Sequence, residues 1–429
     1  MGSVAKHSGH GDLVELVVAR LGAHGDGVAE HAGAPVFLPY TVPGDRVRAR
    51  LGVRRGGGRE GRVVERLGSR PGRADPPCRH FGRCGGCALQ HLDAASYRAA
   101  KLGALRTALD RAGIDPDLVQ PLRIVPPTRR RARLGLIRPR NPQLPARIGF
   151  RERFSHDLVD LVECPVLEPA LFAVVGELRL VAGDLLPPGG AAELMLTRTD
   201  SGIDVLIEAA APPELAALEA LVQLAERCDL ARIVWQIPGE EILAVERRPV
   251  RVLLSGVAVP FPPGSFLQAS ARAETILAEE VCAGIGQHRP VIDLFAGLGT
   301  FSFALVATAG PVHAVDGDER ATAALARAAA GQPGITVERR DLARNPLPPE
   351  ALAGYAAAVF DPPRAGAARQ AEALASSAIG SVVAVSCNPA TFARDAARLI
   401  GGGFRIERVV PVDQFVWTPH LELAARFSR

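Results

Sequence analysis

The sequence predicts an α/β chain that ends in a doubly wound parallel sheet, with a small antiparallel β-barrel at its start and an α+β segment between them. Three observations carry this. From residue 266 onward short apolar runs alternate regularly with helical patterns, and RPVIDLFAGLGTFSFALV (289–306) reads as strand, glycine-rich turn and helix. Residues 12–68 instead alternate β-rich runs (LVELVVARL, APVFLPYTV, DRVRARLGV, GRVVERL) with turns such as HGDG and RRGGGREG, the grammar of a small barrel. A length of 429 residues exceeds one ordinary core, so two or three domains are expected.

The predicted boundaries are 12–68, 76–265 and 266–429. In the central segment, SYRAAKLGALRTALDRAGI (96–114) is apolar at helical spacing. Arg-rich strands follow, with helices over 168–186 and 213–227 and strands over 193–199, 203–208 and 231–237. Pro-Gly clusters at 187–190 and 262–264 punctuate the chain.

Charge is unevenly placed. The net charge is +4, yet residues 46–73 hold ten Arg against Glu60 and Glu65, and TRRRARLGLIRPR (128–140) adds six unopposed Arg, leaving the remainder at about −10. Two basic faces on an otherwise acidic chain point to a polyanion, with nucleic acid as the expected partner. Lys6 and Lys101 are the lysines. The opening MGSVAKHSGHGDLVEL has no apolar core or small-residue cleavage pattern, and nowhere do 18 apolar residues run together. A cytoplasmic location without membrane contact is therefore expected, and no obligate protein partner is predicted. Seven cysteines, odd in number and unevenly spread, fit a reducing compartment better than a disulfide framework.

Three of them crowd into PPCRHFGRCGGCALQH. Cys78, Cys84 and Cys87 lie among Gly82, Gly85 and Gly86, which let the backbone wrap closely, and ECPVLEP offers Cys164 beside a proline. Three clustered thiolates and one distant one make a tetrahedral set that suits zinc or an iron–sulfur cluster equally. Cys228 and Cys282 fall in apolar helical patterns and read as core residues.

The glycine-rich turn at 295–299 sits where a nucleotide or nucleoside cofactor approaches a helix N-terminus. PVHAVDG ends on Asp316, placed to accept hydrogen bonds from ribose hydroxyls, and TVERRDL ends on Asp341, near where an adenine would lie. With Asp293, three carboxylates stand at successive strand ends. They fit a cationic, phosphate-free nucleoside such as S-adenosylmethionine better than a diphosphate. AAVFDPPRAG (357–366) then adds Asp361, with Pro362 and Pro363 as a rigid platform. Arg364 stands where methyltransferases of exocyclic amines carry an aromatic residue, which points to a different attacking atom.

VVAVSCNPATFARD (382–395) reads as a buried strand that hands over to a helix at Cys387, with Asn388-Pro389 ending the ladder. A thiolate added to carbon 6 of uracil turns carbon 5 into a nucleophile, after which a base must remove the carbon-5 proton. TPHLELA supplies His420 and Glu422 at alternate positions of a terminal strand. The following helix N-terminus is expected to lower the Cys387 pKa.

With these segments in view, VARLGAHGDGVAEHAGAPVFLPYTVPGDRVRARL resembles the TRAM module, an OB-like RNA-binding barrel. FLQAS, DLFAGLGTF, AVDGDE, FDPPRAG, SCNPATFARD and TPHLE resemble, in order, the RNA 5-methyluridine methyltransferase family. The resemblance implies a class I Rossmann-like catalytic domain behind a TRAM barrel and a central iron–sulfur domain. It also implies a [4Fe-4S] cluster on Cys78, Cys84, Cys87 and Cys164, and S-adenosylmethionine contacts from Gln268, Phe295, Thr300, Asp316, Asp341 and Asp361. Cys387 is then the nucleophile and Glu422 the base. Barrel and cluster together resemble the branch acting on 23S ribosomal RNA, and residues 93–120 are expected to pack on the catalytic domain. Thr300, Asp316 and Ser270 depart from the family's usual Asn, Glu and Asn. A radical S-adenosylmethionine methylthiotransferase also joins such a barrel to a cluster, but its cysteine spacings are three and two where this chain has five and two. A cytosine-5 methyltransferase, a transfer-RNA enzyme and a non-catalytic RNA chaperone complete the alternatives.

Overall fold

The computed structural model describes residues 12–68 and 71–429. The N-terminal stretch with Lys6 (1–11) and Arg70 of the first basic run lie outside the described residues. The chain divides into a first compact unit that runs to Ala104 and includes Trp417–Pro419, and a second of Leu105–Val416 with His420–Arg429.

In the first unit a six-stranded sheet runs in the order Leu13–Val17, Arg46–Arg55, Gly58–Gly68, Ala34–Leu38, Gly27–His31, Arg20–Leu21. Its driving pattern is the period-two alternation of RVRARL: Val47, Ala49 and Leu51 turn into a core with Val36 and Leu38, while Arg46 and Arg50 face solvent. Arg48 on the same face bridges Glu15 and Glu65, at 3.0 and 2.6 Å. Next comes the cysteine loop, wound by turns such as Cys84 N–H to His80 O at 2.9 Å. Its Phe81 ring stacks on His91 and meets Tyr40 edge-on. Burial holds the His91 imidazole down at about 4, so it is neutral where its Nε2 meets Thr41 O at 3.1 Å.

Among its described residues the second unit carries a two-stranded hairpin, Arg251–Leu254 with Val257–Pro260, and two larger sheets. The smaller of these two sheets runs Glu240–Glu246, Leu230–Ile237, Gly202–Ala209, Ala191–Thr199, Arg131–Ile137, Arg147–Gly149. Helices Pro169–Leu185 and Leu215–Arg227 pack on each other, the second also against the Leu230–Ile237 strand. Arg232 is buried there against Asp204 at 2.7 Å and donates to Phe261 O at 2.8 Å, so its charge is both paired and hydrogen-bonded.

The larger sheet runs Ile335–Arg339, Val312–Asp316, Val291–Leu294, Ala357–Phe360, Ser381–Ser386, Glu422–Ser428, Arg405–Asp413, Arg123–Ile124. The first five strands are parallel. The three central ones, Val291–Leu294, Ala357–Phe360 and Ser381–Ser386, are covered on both faces and buried throughout, and so read as largely apolar runs. Glu422–Ser428 slots antiparallel between Ser381–Ser386 and Arg405–Asp413. Arg123–Ile124 pairs parallel with Arg405–Asp413 at the edge. Strand order reverses between Val291–Leu294 and Ala357–Phe360, the kind of point at which open α/β sheets bind ligands beyond their carboxyl ends.

The glycine-rich turn is built by space as well as by backbone freedom. Gly299 has φ +93, and a Cβ there would stand 2.5 Å from Leu325 Cδ1 and 2.8 Å from Phe303 Cε2. Gly299→Ala should therefore cost about 2–4 kcal/mol from left-handed strain plus overpacking. Equilibrium urea unfolding measures it, and a loss below about 1 kcal/mol would mean the turn relaxes freely.

Candidate active site at the carboxyl edge of the larger sheet

Each strand end places one chemical group. Val291–Leu294 carries the fully buried Asp293, whose Oδ2 accepts the Ser302 hydroxyl at 2.5 Å while Oδ1 has no hydrogen-bond partner among the described residues. Phe295 follows at φ +64, a backbone conformation that a bulky side chain rarely adopts and that tends to mark function. A Cβ on Gly297 would meet open space, in contrast to Gly299. Thr300 opens the helix Thr300–Ala309.

Asp316 ends its strand half-buried, its two oxygens accepting Gly297 N–H at 2.8 Å and Asp318 N–H at 2.7 Å. Burial raises its pKa, with those amides pulling the other way. Asp341 is exposed and caps its own turn through Ala343 and Arg344 N–H. It lies beside Asp316, since a Cβ on Gly317 would stand 3.2 Å from Asp341 Cα.

Asp361 follows Ala357–Phe360, its amide donating to Leu294 O at 3.2 Å. Gln268, buried at 3% exposure, donates through Nε2 to Asp361 Oδ2 at 3.4 Å. Loss of solvation pushes the carboxyls of Asp293 and Asp361 each up to about 7, and each also repels charge on a neighbouring carboxylate.

Cys387 leaves the end of Ser381–Ser386. Asn388 behind it caps the helix Pro389–Gly401 by accepting Ala390 N–H at 3.1 Å, and its Nδ2 donates to Arg364 O at 3.1 Å. One side chain thus stops the strand, starts the helix and ties down the Asp361-Pro362-Pro363-Arg364 platform. The antiparallel ladder ends on the pair Ser386–Leu423, so Cys387 and Glu422 are the residues that flank that last pair, and the Glu422 charge acts on the Cys387 thiol. Glu422 is the first residue of its strand and buried at 3% exposure. Gln414, buried at 4%, donates Nε2 to Glu422 Oε2 at 2.9 Å and to Gln268 Oε1 at 2.6 Å.

Electrostatics here differ from the expectation of a lowered thiol. Burial, then Glu422, then Asp361 push Cys387 up to about 11, against weaker downward pulls from its own backbone amide and Arg364. Glu422 rises well above the carboxylate range through burial and Asp361, with the Gln414 hydrogen bond opposing. The helix N-terminus is present but outweighed by desolvation and two acidic neighbours. His420 also departs from expectation. It precedes the strand, half-buried, its ring edge-on to Phe415 at 6.0 Å, and shares no strand face with Glu422.

The second basic stretch is not an open basic face. Arg130 is buried, bound to Glu274 at 2.6 Å and to Gln268 O at 3.0 Å; Arg131 donates to Gly264 O, Arg138 to Gly183 O and Leu186 O, and Arg133 pairs with Glu208. These guanidiniums bind the chain itself. Gln414 and Arg130 are the site residues that sequence reasoning missed. DQF carries no chemical signature, and the Arg-rich run signalled charge without saying where it lies.

Of the cysteines proposed for metal, Cys84 is buried and Cys78 and Cys87 half-buried in the first unit, with Gly86 N–H 3.4 Å from Cys84 Sγ; Cys164 is half-buried in the second. Among the described residues no group of three or more His, Cys, Asp or Glu gathers as a metal-binding set. Cys282 packs against the core, and Cys228 is half-buried at a helix end.

The raised carboxyl of Asp293 has a stability consequence. Its unfolded pKa is near 4 and its folded value about 7, so the native chain holds a proton across that window. The contribution is complete below about pH 4 and is lost as pH rises through 7. The Tm should fall from pH 5 to pH 8 less steeply in Asp293→Asn than in the parent, by scanning calorimetry; parallel curves would refute it.

Residues 350–429 match the family model for tRNA (uracil-5-)-methyltransferase. An uncharacterized RNA methyltransferase of Brucella suis is 41% identical over 418 residues, covering 97% of this chain and 98% of that one. A 23S rRNA (uracil(1939)-C(5))-methyltransferase of Chromohalobacter salexigens is 36% identical, covering 96% and 89%. The crystal structure of Pyrococcus abyssi tRNA (uracil-54, C5)-methyltransferase with S-adenosyl-L-homocysteine is similar in fold, at TM-score 0.73 and 24% identity, over 96% of this chain and 100% of that one.

Proposed function

The chain belongs to the RNA uracil-5-methyltransferase family, and from that premise we propose that it makes 5-methyluridine in 23S ribosomal RNA, with S-adenosylmethionine as donor and Cys387 as covalent nucleophile. The observation that carries the covalent reading is that Cys387 and Glu422 flank the last pair of one strand ladder, Ser386–Leu423, with the Glu422 and Asp361 charges both acting on the thiol. The 23S substrate is favoured by the Chromohalobacter relative.

In this reading the target base leaves its stack to enter the pocket, and the Cys387 sulfur bonds to carbon 6. The ring electrons move onto the carbon 5–carbon 4–oxygen 4 system as an enolate, and carbon 5 takes the methyl group as its bond to the sulfonium breaks, the electron pair staying on sulfur so that neutral S-adenosylhomocysteine leaves. Glu422 then accepts the carbon-5 proton, the freed pair restores the carbon 5–carbon 6 double bond, and the thiolate leaves. Bound S-adenosylmethionine supplies an electrophilic methyl on a sulfonium whose positive charge favours the ionised forms of Asp361 and Glu422.

Gln268, Phe295, Thr300, Asp316, Asp341 and Asp361 are the proposed cofactor contacts. The open space over Gly297, with Asp316 beside it, supports that placement. Arg364 is the cation nearest in effect to the thiol and favours its ionised form as it attacks. In the first unit, the exposed Arg46, Arg50, Arg54, Arg62 and Arg66 support an RNA-binding TRAM reading.

A [4Fe-4S] cluster on Cys78, Cys84, Cys87 and Cys164 belongs to the same proposal, on the donor chemistry of four thiolates, and a cytoplasmic setting follows from it. Anaerobically purified protein should contain iron and acid-labile sulfide in near-equal amounts, and zinc without iron by metal analysis would reject the cluster.

With RNA containing 5-fluorouridine, the protein and S-adenosylmethionine should form an adduct that survives denaturation, because no removable proton remains on carbon 5. Cys387→Ala should form none and should methylate ordinary RNA at less than about a thousandth of the parent rate. Mapping 5-methyluridine in ribosomal and transfer RNA from a deletion strain identifies the substrate. Normal turnover by Cys387→Ala, or loss of the mark from transfer RNA alone, defeats the corresponding half of the proposal.

A further inference from the structure

Gln414 has no part in the bond-making steps above, yet its amide joins more of the site than any other side chain. Its Oε1 accepts Ser270 N–H at 3.3 Å. That leaves Nε2 facing the opposite way, where its two hydrogens meet Gln268 Oε1 at 2.6 Å and Glu422 Oε2 at 2.9 Å. The orientation is forced, since turning the amide over would set its oxygen against a carboxyl oxygen and its nitrogen against the Ser270 N–H. Gln268, held by its oxygen, must then present its own nitrogen to Asp361 Oδ2 at 3.4 Å. A single chain of amides therefore runs from Glu422 to Asp361. Gln414 is buried at 4% exposure, so no water replaces it cheaply.

We propose that Gln414 is a positioning residue for proton removal from carbon 5: it holds the Glu422 carboxyl in place as a hydrogen-bond acceptor and keeps it available to take the proton. This rests on the reading of Glu422 as the base. A donated hydrogen bond favours the carboxylate over the acid, the direction in which the Gln414 bond acts on Glu422. Without it the carboxyl is left buried with one partner fewer, beside the acidic Asp361. Methylation of carbon 5 comes before the base acts, so the defect falls after methyl transfer. The elimination is where it shows: the proton stays on carbon 5, the electron pair stays in that bond, and the Cys387 sulfur stays on carbon 6.

The test uses the full-length protein, ordinary uridine-containing RNA and methyl-labelled S-adenosylmethionine, read on denaturing gels. Gln414→Met, of similar length and without a donor, should accumulate a labelled protein–RNA adduct that the parent does not, with kcat lower by about 10- to 100-fold, the worth of one hydrogen bond to a charged group, and KM for RNA little changed. Gln414→His, which still offers an N–H, should recover part of the rate and lose part of the adduct. Glu422→Gln, run alongside, should also accumulate the adduct. If Gln414→Met turns over at the parent rate, or loses rate without adduct while melting at the parent temperature, the inference is overturned. If Glu422→Gln itself forms no adduct, the reading of Glu422 as base fails instead, whatever Gln414 does.

Discussion

The site depends on one strand register. Glu422–Ser428 enters antiparallel between Ser381–Ser386 and Arg405–Asp413, and the pairing of Ser386 with Leu423 decides which residue flanks that last pair with Cys387. Because side chains alternate along a strand, a slip of one residue would turn Glu422 away and bring Leu423 to the thiol. The register is held by burial of Leu423, Ala424, Ala425 and Phe427, so the same apolar packing that stabilises the sheet fixes the geometry of a reacting pair.

That placement sets packing against electrostatics. Three carboxyls, Asp293, Asp361 and Glu422, crowd into space with little water, and each raises the proton affinity of a neighbour. Among the described residues hydroxyl and amide contacts from Ser302, Gln268 and Gln414, rather than ion pairs, relieve them in part. Such a site is costly to keep in the empty protein, as sites that bind by pre-set electrostatics commonly are. The Arg130 guanidinium, which sequence reading placed on an outer basic face, instead fastens the Gln268 backbone and Glu274 from within.

The sequence made the larger sheet legible because its central strands are short, mostly apolar and separated by turn chemistry. The helices expected over 168–186 and 213–227 appear as Pro169–Leu185 and Leu215–Arg227. Cys387 was legible for a similar reason: Asn-Pro after an apolar run is a local stop signal, and the structure shows it as strand end and helix cap. What escaped notice is non-local. Gln414 matters through Gln268, 146 positions away, and an amide gives no warning in a linear pattern. The Cys387 pKa was misjudged because the helix N-terminus lies next to it in sequence, whereas the two acids that outweigh it arrive through folding. Alternation counted back from Glu422 puts His420 on the same strand, but the ladder begins only at Glu422.

Burial raises the proton affinity of two interior acids, Asp293 and Asp361, so the charge at the strand ends answers to the charge of what lies against it. A cation there meets carboxylates, and an uncharged molecule of the same outline meets neutral acids.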